Sequence, residues 1–200
     1  VQIADIVVGE VLPDDALRST RHLVRLRRDC AARRANLLLD VAPDRTGRIP
    51  DASVRRLLEL REAFEHPESL PPALTAGATA TASNVYHGEA RWGPESAIDD
   101  NSDTRWATDD GVRECWIEVD LGAPKTFRRA LLCEGWSRVR RFQLEKGDGA
   151  GGWTAFAVGT TIGGGGITID FEPVTAQRVR LHVLDAIEGP TIWDFELRER

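Results

Sequence analysis

The sequence predicts a mainly β protein, an antiparallel sandwich preceded by a short and incomplete α/β segment. Beyond about residue 75, apolar residues recur at every second position in short runs broken by glycine-rich turns, the texture of strands with one buried face. Before that, residues 13–64 read helix, strand, helix, as in a piece of a parallel α/β fold. Residues 67–74, with Pro67, Pro71 and Pro72, divide the two textures. Proline removes donors and fixes φ, so this stretch reads as a semi-rigid linker between a unit at 1–66 and a unit at 75–200.

Taken in order, residues 3–8 offer at most one short strand. Asp14 and Asp15 can cap a helix in which Leu23, Leu26 and Cys30 recur at helical spacing, opposite Arg21, Arg25 and Arg28. Residues 36–42 (Asn-Leu-Leu-Leu-Asp-Val-Ala) are apolar on both faces, as in a parallel strand covered on both sides. Residues 43–47 form a turn, and Pro50 and Asp51 open a second helix carrying Val54, Leu57, Leu58 and Phe64. One such strand leaves two edges unpaired, so the unit looks incomplete and marginal by itself.

In the second unit Cys115, Ile117, Val119 and Leu121 alternate with Trp116, Glu118 and Asp120 until Gly122 and Pro124. Phe127, Leu131 and Cys133 suggest a second strand and Phe142 and Leu144 a third. Residues 153–158, 167–171, Val179 to Val183 and Trp193 to Leu197 supply four more, with a glycine-rich turn at 163–166. On the last of these, Trp193, Phe195 and Leu197 face one way and Asp194 and Glu196 the other.

Composition excludes several classes of function. The 200 residues fit one domain or two small ones, and the net charge of −6 argues against non-specific nucleic-acid binding. Only Lys125 and Lys146 are lysines, an arginine bias that reads as genomic composition. Cys30, Cys115 and Cys133 are odd in number and widely spaced, which points to buried small apolar residues instead of a disulfide framework or a zinc cluster. The longest apolar run, Leu37 to Leu39, is far short of a membrane span, and no signal-peptide pattern is visible. A first residue of valine, not methionine, suggests an excised or partial piece.

Between Ser96 and Trp106 the chain packs Asp99, Asp100, Asn101, Ser102, Asp103 and Thr104 together, too polar and turn-prone for a buried strand. Oxygen ligands at this spacing fit either a solvated Asx-rich turn or a hard-cation site. Residues 97–106 (Ala-Ile-Asp-Asp-Asn-Ser-Asp-Thr-Arg-Trp), 116–122 (Trp-Ile-Glu-Val-Asp-Leu-Gly) and 192–197 (Ile-Trp-Asp-Phe-Glu-Leu), with Ala80 to Ser83 before them, resemble the discoidin, or coagulation factor 5/8 type C, domain and within it carbohydrate-binding module family 32. The resemblance covers roughly the last two thirds of the chain and implies an eight-stranded, galactose-binding-like jelly roll. It also implies a structural Ca²⁺ held by the Ala97 carbonyl, Asp100, Asp103, Thr104 and Asp194, with Glu196 as substitute if the register is off by two.

In that family the sugar site lies on loops at one end of the sandwich. Sugars are held by an aromatic ring against the apolar face of the pyranose and by planar donors on hydroxyls. The loops here contribute His87, Arg91 and Trp92, then Asp109, Asp110 and Arg113, then Glu134, Trp136 and Arg138. His87 and Trp136 are the leading candidates, with Arg91 and Arg138 as hydroxyl partners, while Trp106 and Trp116 are expected in the core.

Residues 36–50 (Asn-Leu-Leu-Leu-Asp-Val-Ala-Pro-Asp-Arg-Thr-Gly-Arg-Ile-Pro), with the Val54 to Leu57 helix, are similar to the end of the catalytic (β/α)₈ barrel of family 29 glycoside hydrolases, the α-L-fucosidases. Asp40 departs from the asparagine usual there. Retaining glycosidases need two opposed carboxyls, and in that family the nucleophile lies on earlier barrel strands, which nothing before Asn36 matches. Asp40 and Asp44 read as loop and turn residues, so no catalytic residue is expected in this chain and it should be inactive alone.

The resulting expectation is a carbohydrate-binding module at the end of an α-L-fucosidase-like hydrolase, bound to fucose- or galactose-containing glycans outside the cytoplasm or in the periplasm. Its partners would be a glycan and the missing barrel portion, in cis or as another chain, with no nucleic acid. The alternatives are an active fucosidase within a longer parent and a discoidin-type adhesion or membrane-surface module. The last needs protruding apolar spikes with basic neighbours, for which Trp136 between Glu134 and Arg138 is a poor fit.

Overall fold

The computed structural model describes residues 20–66, 73–101, 104–163 and 166–199. Asp14 and Asp15, the strand at 3–8, the linker prolines and the side chains of Arg21, Arg25 and Arg28 lie outside the described residues. Two compact units are present, Val1–Pro72 with Gly165–Ile167, and Ala73–Gly164 with Thr168–Arg200.

The first unit contains helices α1 (Thr20–Ala32) and α2 (Asp51–Glu65). α2 starts where Pro50 leaves the extended region, its carbonyl accepting the Val54 N–H at 3.0 Å. Leu23 of α1 and Leu60 and Ala63 of α2 are buried, and the Arg27 guanidinium lies 4.1 Å over the Phe64 ring. Val54 and Leu58 stay exposed. The parallel strand expected at 36–42 is not formed: only Asp40 makes a β-bridge, and Leu38 is 79% exposed. A parallel strand draws its hydrogen bonds from neighbours on both edges, and the described residues of this unit supply no other strand. Asp44 is the turn former expected, its Oδ1 accepting the Thr46 hydroxyl at 2.7 Å and the Thr46 and Arg48 amides at 2.8 and 3.1 Å. Those bonds, the Thr46 hydroxyl first, hold its carboxyl below the usual carboxylate range.

The second unit is an antiparallel β sandwich that begins at Ala73, two residues earlier than expected, because the Leu74 amide donates to Leu197 O at 2.8 Å. Its strands are β1 (Thr79–Ala82), β2 (Trp106–Ala107), β3 (Cys115–Glu134), β4 (Val139–Gly147), β5 (Trp153–Gly159), β6 (Ile167–Ala186) and β7 (Thr191–Arg198). They run in the order β2-β7-β3-β6-β4-β5, with β1 also paired to β3. Among the described residues there are thus seven strands, not eight. β3 and β6, of 20 residues each, take the place of two expected strands apiece, turning through exposed corners at Gly122 (φ 76°) and at Glu172 and Pro173.

Inward-facing residues of the alternating runs build the core, with Trp106, Phe127, Phe142, Phe195, Leu144, Leu181 and Ile192 fully buried. Phe127, Phe156 and Phe171 form a ring cluster with centroids 4.8–6.1 Å apart. Cys115 and Cys133 are buried and Cys30 half-buried. Burial first, then the charges of Glu114 and Glu134, push the Cys115 thiol up to about 12, which leaves it unreactive at neutral pH. Trp116 is a correction: it is half-buried, with the Arg180 guanidinium 5.8 Å from its ring.

That guanidinium belongs to a polar network on the sheet surface. The buried Glu145 carboxylate accepts Arg180 Nε at 2.5 Å and the Gln143 amide, and lies 3.3 Å from His182 Nδ1, whose other nitrogen is 3.4 Å from Glu114. Burial alone would raise the Glu145 pKa, but the bonds from Arg180 and then His182 outweigh it and the carboxyl ends below its ordinary value. A carboxyl depressed in the folded state stabilises fully above its unfolded pKa, and the contribution disappears as pH falls through the folded value. Urea unfolding from neutral to acidic pH should show stability falling across the ordinary carboxylate range and below it, with a shallower fall in Glu145→Gln.

Candidate functional site

The oxygen-rich loop follows a short 3₁₀ turn, Pro94–Ala97, that buries Ala97. Asp99, which is not among the expected cation ligands, organises the loop: its Oδ1 accepts the Asn101 amide at 3.0 Å and its Oδ2 the Thr104 hydroxyl at 2.7 Å. Asp100 adopts the left-handed region at φ 58°, which aspartate tolerates better than most residues. Asp103 lies outside the described residues. Asp194 is half-buried on β7 opposite Cys133, and Glu196, two residues on, bonds Arg198 at 2.5 Å. Among the described residues no three His, Cys, Asp or Glu side chains gather as they would around a metal.

The aromatic and cationic candidates belong to a chain of ring contacts. Trp136 is 56% exposed, and the Arg138 guanidinium lies 4.8 Å from its ring centroid while Nη1 of that arginine donates to Gly189 O at 2.7 Å. Arg105 links this pair to two further rings, its guanidinium carbon lying 5.7 Å from Trp136, 4.2 Å from Trp92 and 4.8 Å from Trp193. Arg91 sits 4.9 Å from the Trp92 ring and is paired to Glu89 at 2.6 Å. Tyr86 packs edge-on to both Trp92 and His87. Arg138 therefore meets Trp136 directly, whereas Arg91 and His87 connect to them only through Trp92, Tyr86 and Arg105.

Sequence reasoning missed Arg105, Trp193 and Tyr86 as members of this cluster. It also missed what holds the loops. Asp109 accepts the His87 amide at 2.7 Å and the Asn84 side-chain amide at 2.9 Å, while Asn84 Oδ1 accepts the Asp109 amide at 2.8 Å. The His87 bond first and the Asn84 bond second keep the Asp109 carboxyl below its usual range. This clamp fixes His87 at φ 50°. Glu188 does the same for the next loop, accepting the Gly111 amide and the Gly189 amide, and its carboxyl is lowered by them in that order. Arg113 caps the end of β6 through Ala186 O at 3.2 Å.

Glu134, fully buried, ties down the chain just after Trp136. Its Oε1 accepts the amides of Arg138 at 2.6 Å and Val139 at 2.9 Å, and its Oε2 that of Gly163 at 3.4 Å. Glu134→Ala leaves these donors without a partner and should cost about 1–3 kcal/mol. Urea denaturation checks this; unchanged stability would mean that solvent replaces the carboxylate at no cost.

The sequence pattern of the NedA-like, galactose-binding domain of the F5/8 type C kind matches residues 96–181. A chitosan-binding module from a chitosanase/glucanase of Paenibacillus sp. IK-5 is 32% identical, aligned over 62% of this chain and 97% of that one with a TM-score of 0.56. The strand-rich unit belongs to the F5/8 type C, galactose-binding-like family. Similarity reaches past this F5/8 type C domain: a family 29 fucosidase of Ruminococcus gnavus, solved with fucose, is 26% identical over 92% of this chain with a TM-score of 0.59. A candidate α-L-fucosidase from Bacteroides thetaiotaomicron is 25% identical over 100% of it with a TM-score of 0.62. The chain spans only 37% and 44% of those two fucosidases. No curated protein sequence matches it. Within the F5/8 type C domain the matched stretch takes in Arg105, Trp136 and Arg138 and stops short of Trp193.

Proposed function

We propose that this chain is the carbohydrate-binding, C-terminal part of an α-L-fucosidase-like glycoside hydrolase, holding that enzyme on fucose- or galactose-containing glycans outside the cytoplasm or in the periplasm. The observation that carries the reading is the exposed Trp136 ring with the Arg138 guanidinium 4.8 Å from it, at a loop anchored by the buried Glu134. An exposed ring offers an apolar platform for a pyranose, and a neighbouring planar donor gives directional bonds to its hydroxyls. The fucosidase similarity, which extends through residues before the sandwich, favours a second reading in which the chain ends a longer, active enzyme.

Under the same reading a structural Ca²⁺ occupies the loop at 97–104, with the Ala97 carbonyl, Asp100, Asp103, Thr104 and Asp194 supplying hard oxygen ligands. Such an ion binds only the folded chain and stabilises it by mass action. Chelation should lower the melting temperature and added Ca²⁺ restore it; a melting curve indifferent to both argues against the ion. Screening the full chain on an array of fucosylated, galactosylated and unrelated glycans tests the binding itself. Selective retention of the first two supports the reading, and no retention at all refutes it.

A further inference from the structure

We infer that the cluster around Arg105 selects glycans that carry a carboxylate, so that the ligand is an acidic oligosaccharide and not a neutral one. The inference rests on the glycan-binding reading above and adds the charge of the sugar to it.

Several arginines of this unit have carboxylate partners, among them Arg129 with Asp170, Arg178 with Glu118, Arg180 with Glu145 and Arg198 with Glu196, while Arg113, Arg138 and Arg140 donate to backbone carbonyls. Arg105 has none among the described residues. Its half-buried guanidinium is surrounded by the rings of Trp92, Trp193 and Trp136, and its Nε is buried without a hydrogen-bond partner. The indole N–H of Trp92, in the same cluster, is likewise buried and unpartnered. Both orphaned groups are donors.

A cation withdrawn from water without a counter-ion is costly, and ring faces compensate only in part. Arginine stays protonated at any physiological pH, so the site cannot relieve the cost by losing a proton. Arg138, the second guanidinium at Trp136, spends Nη1 on a backbone carbonyl. Glu134 accepts the amides of Arg138 and Val139, and Glu188 accepts those of Gly111 and Gly189 with the charges of Arg138 and Arg113 acting on it. Among the described residues, Arg105 thus brings to the exposed Trp136 ring a positive charge that no carboxylate partners. A planar carboxylate matches the guanidinium fork and supplies the counter-charge that Arg105 lacks. A cationic sugar such as chitosan, bound by the similar Paenibacillus module, would meet the wrong sign of charge here.

Calorimetric titration of the full chain with matched pairs tests this: galactose against galacturonic acid, and lactose against sialyllactose. Each acidic member should bind roughly tenfold more tightly than its neutral counterpart, the difference expected of a hydrogen bond to a charged group. The advantage should shrink as salt is raised and vanish in Arg105→Gln. Should Arg105→Gln fail to fold by circular dichroism, Arg138→Gln and the salt series on the unaltered chain carry the test. Equal binding of both members overturns the inference and leaves the glycan reading standing. A preference for sulfated galactose over galacturonic acid overturns the choice of carboxylate. Absence of binding to any of these sugars overturns both.

Discussion

Trp106→Ala is expected to destabilise the strand-rich unit by about 3–5 kcal/mol, the largest effect of any single truncation proposed here. Trp106 is fully buried on the two-residue strand β2, opposite Ile192 of β7, and its indole N–H donates to Asn84 O at 2.9 Å. Truncation opens a large cavity beside β7 and removes the indole donor from the half-buried Asn84 carbonyl. Because Asn84 also clamps Asp109, the damage should reach the His87 turn. Chemical denaturation gives the free energy directly. A loss under about 1 kcal/mol would mean that the β2 region collapses onto the vacancy, and that the loop end is softer than its packing indicates.

Trp136→Ala should do the converse: little to stability and much to binding. The ring is 56% exposed, with guanidinium groups 4.8 and 5.7 Å from it. Exposed substitutions away from such features usually fall within about 0.5 kcal/mol of neutral. An aromatic anchor at a binding centre, by contrast, is worth at least about 2 kcal/mol, roughly thirtyfold in affinity. The Trp106 and Trp136 variants thus separate the two roles of tryptophan in this domain. A Trp136→Ala chain that bound glycans as tightly as the parent would move the site elsewhere on the sandwich.

How far the sequence spoke differs between elements. Alternation marked the stretches that became β3 to β7, because a half-buried strand must repeat at two, and Phe142, Leu181 and Phe195 lie where that period puts them; it did not mark the short β1 and β2. It did not show that β3 and β6 are continuous, since Gly122 and Pro173 at their corners look like strand ends. The run at 36–42 misled for the opposite reason: apolarity on both faces requires neighbouring strands, and a sequence window carries no information about whether they exist.

At the site, Trp136 and Arg138 were legible because a large aromatic in a polar loop has no core to join. Arg105 was not, since an arginine preceding a core tryptophan reads as an ordinary surface charge until three rings are found around it. Glu134 and Asp109 stood among the loop residues, but their supporting role escaped for a different cause. They bond backbone amides, which every residue possesses, so their partners leave no mark in the side-chain pattern.

The six tryptophans make one measurement especially direct. Each indole N–H gives its own signal in a nitrogen–proton correlation spectrum of the isotope-labelled chain, assignable by single substitution. On titration with acidic and neutral galactose- and fucose-containing oligosaccharides, the signals of Trp136, Trp92 and Trp193 should move together, while those of Trp106 in the core and Trp153 on the sheet surface stay in place. Movement confined to Trp153 and Trp116, or no movement with any sugar, would contradict a glycan site at the loop end of the sandwich.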